Sequence, residues 1–283
     1  MTEVKERYAL DPISATELRV VDSESGDFIG ILNTNDMTVD GASIANTELL
    51  ESYYEYRGSS LYIVWNAKDD IESVLHDSYN TEQDWIDTMK ALYQKLITAC
   101  SICLYGECNG SKRSDLFLRW LDETDFYTAP ASTKYHDAFS GGLVKHHLET
   151  AYYALDLMES NTFHSSARRE SIILVSLIHD LCKINLYEPY LKNVKDGTTG
   201  QWIKEQAFKH RESQIPLGHG AASLYIAQKF FKLDLEQALA IRWHMGKWNL
   251  CDGESAEYHS ALKRYPMIYL IQFADQLTIK EWR

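Results

Sequence analysis

Long apolar runs are missing from this sequence of 283 residues. No stretch of 18 or more apolar residues occurs, which argues against a helix that spans a membrane. Residues 1–7 also lack the apolar core of a secretion signal. We therefore expect a soluble, cytoplasmic protein with no membrane partner.

Cysteine is scarce as well. The five cysteines are an odd number and are not spaced like a secreted disulfide framework, so we expect reduced thiols. Cys100, Cys103 and Cys108 lie close together, but no second Cys-x-x-Cys pair follows to complete the four ligands of a structural zinc site. Buried helix cysteines are the simpler interpretation of this cluster.

Basic residues are too few to balance the acidic ones, and the net charge is −13. This charge opposes long-range attraction to the polyphosphate backbone of a nucleic acid. Two short basic runs, Arg168-Arg169 and Lys209-His210-Arg211, could form a local patch, although such runs are more often solvated faces. The hydrophobic fraction of 45% is that of an ordinary globular protein.

The first quarter of the chain differs in pattern from the remainder. Short apolar runs at residues 18–21, 28–32 and 60–65 are strand-like and are separated by Gly, Asp, Asn and Ser. We predict a small β-containing or irregular N-terminal appendage over residues 1–75. It could serve as a substrate lid or an oligomer contact, and no chemistry is visible in it.

From Thr81 onward, apolar residues recur in steps of three and four, which predicts a mainly α-helical body over residues 76–283. Thr81 with Asp84, and Asp234 with Gln237, have the spacing of signals that cap a helix N-terminus. Helices are predicted around residues 85–97, 116–121, 143–158, 172–178, 219–231, 235–244 and 267–277.

Two further predictions concern the middle of the helical body. The polar segment 185–211, rich in Lys, Gly, Thr and Tyr, is predicted to be a surface loop with little regular structure. One face of the helix that begins at Gly218-His219 is predicted to carry Ala221, Leu224, Tyr225, Gln228 and Phe231.

A titratable pair, His179-Asp180, ends an otherwise apolar segment. Residues 172–178 are apolar enough to be buried on nearly every side as a helix. Buried titratable groups cost several kcal/mol unless they are paired or bind a metal, so a metal ion is the simplest partner. The alternative is that both residues cap a helix C-terminus while Lys183 faces solvent.

Other helices present comparable residues, about one helical hairpin apart along the chain. Imidazole and carboxylate groups that converge within a helical bundle would suit Mn, Fe, Zn, Ni or Mg. Taken singly, each such histidine is more often a polar group whose hydrogen bonds are satisfied. Five helices that each present such a residue or residue pair favour a metal site. The candidate ligands are His146, His179, Asp180, His219, His244 and Asp275. Of the remaining histidines, His76, His164, His210 and His259 are predicted to lie at the surface, and His136 and His147 remain undecided.

The order H…HD…H…H…D resembles that of the HD-domain metal-dependent phosphohydrolases of bacteria and phages, including the HD-type 3′–5′ exoribonuclease branch. The matching motifs are Gly141-Gly142-Leu143-x-x-His146, His179-Asp180-x-x-Lys183, Gly218-His219, His244 and Ala274-Asp275. The segment 126–133, which precedes the first histidine, is similar to that of phage-type members. The resemblance covers about residues 115–283.

Two departures from the family pattern are visible. Cys182 stands where the family usually has glycine, which affects the local turn but not the ligands. The H-H-E and G-Y-P elements of the second-messenger phosphodiesterase subgroup do not occur around His244, which argues against that subgroup.

The resemblance implies an all-α HD bundle that hydrolyses a phosphate ester with one or two divalent ions (Mn, Fe, Ni, Co, Zn or Mg). His146, His179, Asp180 and Asp275 would bind the first ion. His219 and His244 would bind the second, with Asp180 bridging the two.

The resemblance also implies that Asp180 and Lys183 are the catalytic residues, with Lys183 either in contact with the phosphate or paired with a carboxylate. The expected substrate contacts are Lys183, Lys134, Arg211 and His136. The expected substrate is a nucleotide or a nucleic-acid end, and the net charge favours small nucleotides over long RNA. The alternatives are an HD-type 3′–5′ exonuclease on single-stranded RNA or DNA and a non-catalytic nucleotide sensor. A homo-oligomer is compatible with all three.

Overall fold

The structure is a computed structural model, and it is mainly helical, as predicted. The chain forms two compact units, Met1–Ile63 and Val64–Arg283, and residues 64–75 therefore belong to the second unit. The residues that the structure describes are 8–12, 17–22, 25, 27–33, 38–40, 42–43, 59–160, 167–213, 215–251 and 253–279.

The first unit contains an antiparallel sheet of five short strands in the order β1-β2-β3-β4-β5. The strands predicted at residues 18–21 and 28–32 are confirmed, and they pair with each other through Val20 and Gly30. Val20 and Leu32 have no solvent exposure, as expected for one buried sheet face. The strands are β1 (Tyr8–Pro12), β2 (Glu17–Asp22), β3 (Phe28–Asn33), β4 (Thr38–Val39) and β5 (Ala42–Ser43).

The strand predicted at residues 60–65 is wrong, because this segment is helix α1 (Ser59–Trp65). A short apolar run does not by itself distinguish a strand from a buried helix. Val64, Ala67 and Ile71 are buried at helical spacing, so the helical period already begins at the end of this run.

The helical unit continues with helices of 8 to 24 residues. Both predicted N-terminal caps form: Thr81 accepts a hydrogen bond from the backbone N–H of Asp84, and Asp234 with Gln237 makes a complete capping box. The helices are α2 (Ala67–His76), α3 (Glu82–Tyr105), α4 (Glu107–Asp122), α5 (Gly142–Glu159), α6 (Arg169–Ile178), α7 (His219–Ala227), α8 (Leu235–Trp243), α9 (Ser255–Leu262) and α10 (Met267–Leu277).

Helix α6 lies at the centre of this unit, and every residue from Glu170 to Ile178 is buried. It packs against α3, α5 and α8, while α10 packs against α5 and α8. The apolar segment before His179 is therefore surrounded by helices, as the sequence predicts. Among the described residues no helix has the length and apolar character needed to cross a membrane.

The loop predicted over residues 185–211 is wrong. This segment forms a hairpin of β6 (Tyr187–Lys195) and β7 (Trp202–His210), paired from Tyr187 with His210 to Lys195 with Trp202. Most of the hairpin is exposed on both faces, so it lacks the apolar alternation by which a half-buried strand is recognised.

The predicted shared face of α7 is confirmed for Ala221, Leu224, Tyr225 and Gln228, none of which is buried. Tyr225 and Gln228 are exposed, whereas Ala222, Ser223 and Ile226 face inward. The helix ends at Ala227, so Phe231 is buried beyond its end. Small residues turn inward because α7 packs closely against α8 and the 3₁₀ turn Leu181–Lys183.

Candidate metal centre

The structure brings the six predicted ligands together within the helical unit. Each lies within the first two turns, in the last turn or just beyond the end of a helix, where side chains converge from different directions. His146 lies on α5, His179 and Asp180 follow α6, His219 is the first residue of α7, His244 follows α8, and Asp275 is in the last turn of α10.

A close approach of α7 to α8 brings two of these ligands together. A Cβ atom on Gly220 would lie 2.1 Å from the carbonyl oxygen of Arg242, so only glycine permits this contact. The ring centroids of His219 and His244 are consequently 5.3 Å apart.

The first group consists of His146, His179, Asp180 and Asp275. The Nε2 atom of His146 lies 3.2 Å from Nε2 of His179, 3.4 Å from Oδ2 of Asp180 and 3.1 Å from Oδ1 of Asp275. The Nε2 atom of His179 lies 3.6 and 3.7 Å from the same two carboxylate oxygens. The point equidistant from Nε2 of His146, Nε2 of His179 and Oδ2 of Asp180 lies about 2 Å from each atom, which is the usual length of a metal–ligand bond.

The other ring nitrogens fix the orientation of these histidines. His179 Nδ1 donates a hydrogen bond to the carbonyl of Ser176, which can only accept. Thr278 donates its hydroxyl hydrogen to the carbonyl of Asp275, so its oxygen accepts from Nδ1 of His146. Each neutral ring therefore presents a lone pair at Nε2. Two facing lone pairs beside two carboxylates require a cation among them, either a proton or a metal ion.

The second group consists of Asp180, His219 and His244, which offer ligand atoms within 4.8 Å of one another. His219 Nε2 contacts Oδ1 of Asp180. His244 donates from Nδ1 to the carbonyl of Ile241, and its buried Nε2 lies 3.3 Å from the same Asp180 oxygen without a hydrogen bond. Oδ2 of Asp180 thus faces the first group and Oδ1 the second, the arrangement of a bridging carboxylate.

The charges at the site are those of ionised carboxylates. Burial raises the pKa of Asp180, but Lys183 and His219 hold it well below its usual range. Burial likewise raises the pKa of Asp275, and His146 outweighs it. Burial lowers the pKa of His219, yet the Asp180 carboxylate raises it to about 10. Two buried carboxylates with such neighbours favour a bound cation.

The donor set therefore fits a metal ion. Its ligand atoms are imidazole nitrogens and carboxylate oxygens. They lie within 4.8 Å of one another in each of two groups, His146-His179-Asp180 and Asp180-His219-His244. Hydrogen bonds to the outer nitrogens orient the rings, as they do in metal sites generally. This buried cluster of His146, His179, Asp180, His219 and His244 could bind a metal.

Lys183 lies beside the cluster rather than in solvent. Its side chain is 9% exposed, and its Nζ lies 2.6 Å from Oδ2 of Asp180. Burial lowers the pKa of Lys183, but Asp180 and Tyr187 outweigh this and keep the side chain cationic. The 3₁₀ turn places Lys183 three residues after Asp180, on the same side of the chain.

The three other predicted substrate contacts differ in position. His136 lies against the cluster, with its ring centroid 5.0 Å from that of His146. Lys134 is exposed and its Nζ lies 5.8 Å from the ring centroid of Tyr135. Arg211 is exposed, with Nε 3.4 Å from the carboxylate of Glu188. Within the described parts of the chain, Lys134 and Arg211 contact none of the six ligands, and their role stays a prediction.

Comparison of the chain with protein-family models, with curated proteins and with solved structures finds no match.

His147, whose position the sequence does not decide, belongs to the surroundings of the centre. It has no solvent exposure, and its Nδ1 donates to the carbonyl of Leu177 at 2.7 Å. Its ring centroid lies 4.9 Å from that of His179, so the two rings are in packing contact and His147 limits the movement of that predicted ligand. Sequence reasoning missed Thr278, which orients His146. Its position three residues after Asp275, at the end of the same helix, is the only signal that could have indicated it.

The other histidines and the cysteines remain outside the cluster. His76, His210 and His259 are exposed, as predicted, and His164 lies outside the described residues. Cys100 is buried, Cys103 half-buried and Cys108 exposed, and these three thiols form no disulfide. No cysteine joins a metal-ligating group in the portion of the chain that the structure describes.

Proposed function

We propose that the protein is a metal-dependent phosphohydrolase of the HD type that cleaves a phosphate ester of a nucleotide or nucleic-acid end. The observation that supports this most strongly is the position of Asp180 between two groups of ligating side chains. Each of its carboxylate oxygens faces a different group. Paired divalent ions a few ångströms apart are typical of phosphoryl hydrolysis.

In this proposal, His146, His179, Asp180 and Asp275 would hold the first ion, and His219 and His244 would hold the second. Bound divalent ions would supply a water of lowered pKa and neutralise charge on the phosphoryl oxygens. The protein's own contribution is a set of ligands fixed by packing and by backbone hydrogen bonds, so little reorganisation is needed during the reaction.

Lys183 and His136 would act on the substrate. The cationic Nζ of Lys183 is positioned to stabilise negative charge on a phosphoryl group beside Asp180. Burial, together with His146 and Lys183, lowers the pKa of His136 to about 4, so its ring is neutral at pH 7 and can share a hydrogen bond.

The surroundings favour a small substrate over a long polyanion. The net charge of −13 opposes binding of long RNA, and the charge of Arg211 is partly offset by Glu188. A cavity of about 220 Å³ borders Cys182, whose side chain contacts His219, and Trp120 and Asn185 also line it. A single planar base would fit a cavity of this size, and Trp120 offers a ring for stacking. The proposal includes a cytoplasmic location, where nucleotides and reduced thiols occur together.

The experiment that tests the proposal is a hydrolysis panel. Nucleoside mono-, di- and triphosphates and a single-stranded oligonucleotide of about ten residues would be incubated with Mn²⁺, Mg²⁺, Ni²⁺ or Co²⁺, beside a chelated control. Metal-dependent release of phosphate or nucleoside supports the proposal. Faster cleavage of the oligonucleotide, falling steeply with salt, would indicate the exonuclease alternative. Nucleotide binding without turnover would indicate a sensor.

A further inference from the structure

A buried ion-pair triad lies on the side of helix α5 that faces the loop before it. Lys145 Nζ is 2.9 Å from Oδ1 of Asp137 and 2.6 Å from Oε2 of Glu149. The three side chains are 13%, 9% and 8% exposed. Buried ion pairs are a weak source of stability, because desolvation offsets most of the attraction. Their better-attested contribution is to select one arrangement of the groups that carry them.

The arrangement that this triad selects is an unusual one. Asp137 has a φ of +47°, in the left-handed region that non-glycine residues rarely adopt. Its carbonyl oxygen accepts a hydrogen bond from the N–H of Ala131 and approaches α5 closely. A Cβ atom on Gly142 would lie 2.0 Å from that oxygen. The loop is thus held against the first turn of the helix at a conformation that costs about 1 kcal/mol or more.

The residue held by this conformation is His136. Its carbonyl accepts a hydrogen bond from the hydroxyl of Ser132, and its ring lies 5.0 Å from that of His146. The Nε2 atom is buried and has no hydrogen-bond partner in the described part of the protein. A buried polar atom without a partner is rare and calls for one that is not a protein group.

We propose that Lys145 and Asp137 are positioning residues that hold His136 beside the metal centre, and that Nε2 of His136 hydrogen-bonds an oxygen of the bound phosphoryl group. The nature of the ligand rests on the proposed function, whereas the positioning of His136 does not. Glu149 completes the triad as a second carboxylate in contact with the Lys145 ammonium.

Positioning is tested by the chemical reactivity of His136, which needs no enzymatic activity. Folded, metal-loaded protein would be treated with diethyl pyrocarbonate. The rate at which each histidine is carbethoxylated would be measured by peptide mass spectrometry. The exposed His76 and His259 serve as internal references. His136 should react slowly in the wild type and about fivefold or more faster in Lys145→Met, because the loop opens locally. Lys145→Arg, which keeps the charge, should retain most of the protection.

Two further variants make this result decisive. Asp137→Gly keeps a residue that adopts positive φ but removes the carboxylate, so it should also release His136. Lys90→Met, which breaks the exposed pair between Lys90 and Asp122, is the matched control and should change nothing. Slow modification of His136 in both folded triad variants would overturn the positioning role.

The ligand is tested by calorimetric binding of inorganic phosphate to the metal-loaded protein. His136→Ala should weaken phosphate binding about tenfold, and Lys145→Met should weaken it less or equally. In the double variant the two losses should not add, because both act through the same imidazole. Additive losses, or wild-type affinity in His136→Ala, would overturn the ligand assignment. A protein that binds phosphate in this way but hydrolyses no nucleotide would contradict the proposed function alone.

Discussion

The Nε2 atoms of His146 and His179 face each other at 3.2 Å, although each ring donates the hydrogen of its other nitrogen elsewhere. Two neutral imidazoles in these tautomers would bring two lone pairs together beside two carboxylates. In the metal-free protein a proton on His146 can relieve the repulsion between these lone pairs. Burial lowers the pKa of His146, but the carboxylates of Asp180 and Asp275 outweigh burial and raise that pKa. A metal ion relieves the repulsion for both rings at once.

The two ligand groups should be separable by mutation. His179→Ala should weaken the first ion, because it removes one of four ligands there, whereas His219→Ala or His244→Ala should weaken only the second. Asp180→Ala should weaken both ions and abolish activity, since each of its oxygens faces one group. Metal titration of each variant is the measurement. Equal metal content in the Asp180, His219 and His244 variants would rule out the assignment.

Lys183 should act in turnover and not in metal retention. Lys183→Met removes a cation that contacts Oδ2 of Asp180 but removes no ligand. We expect metal content to stay unchanged while kcat falls roughly 100-fold, the scale of losing one stabilising charge. Lys95→Met, which breaks an exposed pair with Asp70, is the control. Loss of metal from Lys183→Met would make Lys183 a structural partner of the cluster instead.

The stability of the metal-free protein should depend on pH through His219. Its pKa is raised from 6.5 to about 10, so its contribution to stability is complete below about pH 6.5 and is lost as pH rises through about 10. The pKa of Asp180 is lowered from 3.8, so its contribution is complete above that pH and is lost in stronger acid. The chelated wild type should therefore exceed chelated His219→Gln in Tm by more at pH 6 than at pH 10. An equal difference at both pH values would contradict the His219–Asp180 pairing.

Gly220 should be necessary for the second group. An added methyl would meet the carbonyl of Arg242 at 2.1 Å and push α7 away from α8. We expect Gly220→Ala to cost about 1–3 kcal/mol in unfolding free energy and to weaken the second ion. Gly197→Ala, where nothing lies within 4 Å, is the control and should be near neutral. Wild-type binding of both ions by Gly220→Ala would show that the close approach is not required.

Much of the helical body could be predicted from sequence because its signals are local. Capping residues such as Thr81 and Asp234 act on backbone groups three residues away, and the apolar segment 267–277 coincides with α10. The convergence of the six site residues could be predicted because a buried histidine or carboxylate needs a partner. No local pattern revealed the roles of Thr278 and His147, since these depend on which helix ends meet.

The errors concern segments in which the sequence pattern does not determine the local structure. Residues 60–65 have strand-like composition, yet Val64 joins a helical stripe that continues into α2. The β6–β7 hairpin is mostly exposed, so no buried face marked its strands in the sequence. The apolar pattern of α7 did not indicate which face turns inward, because close packing at Gly220 selects small side chains there over large ones.

The most direct test of the central claim is a calorimetric titration of chelator-stripped wild-type protein with Mn²⁺, beside Asp180→Ala. The account predicts uptake of about one or two ions by the wild type, with a raised Tm in the loaded protein, and greatly weakened uptake by the variant. A wild-type protein that takes up no ion and gains no thermal stability from one would contradict it.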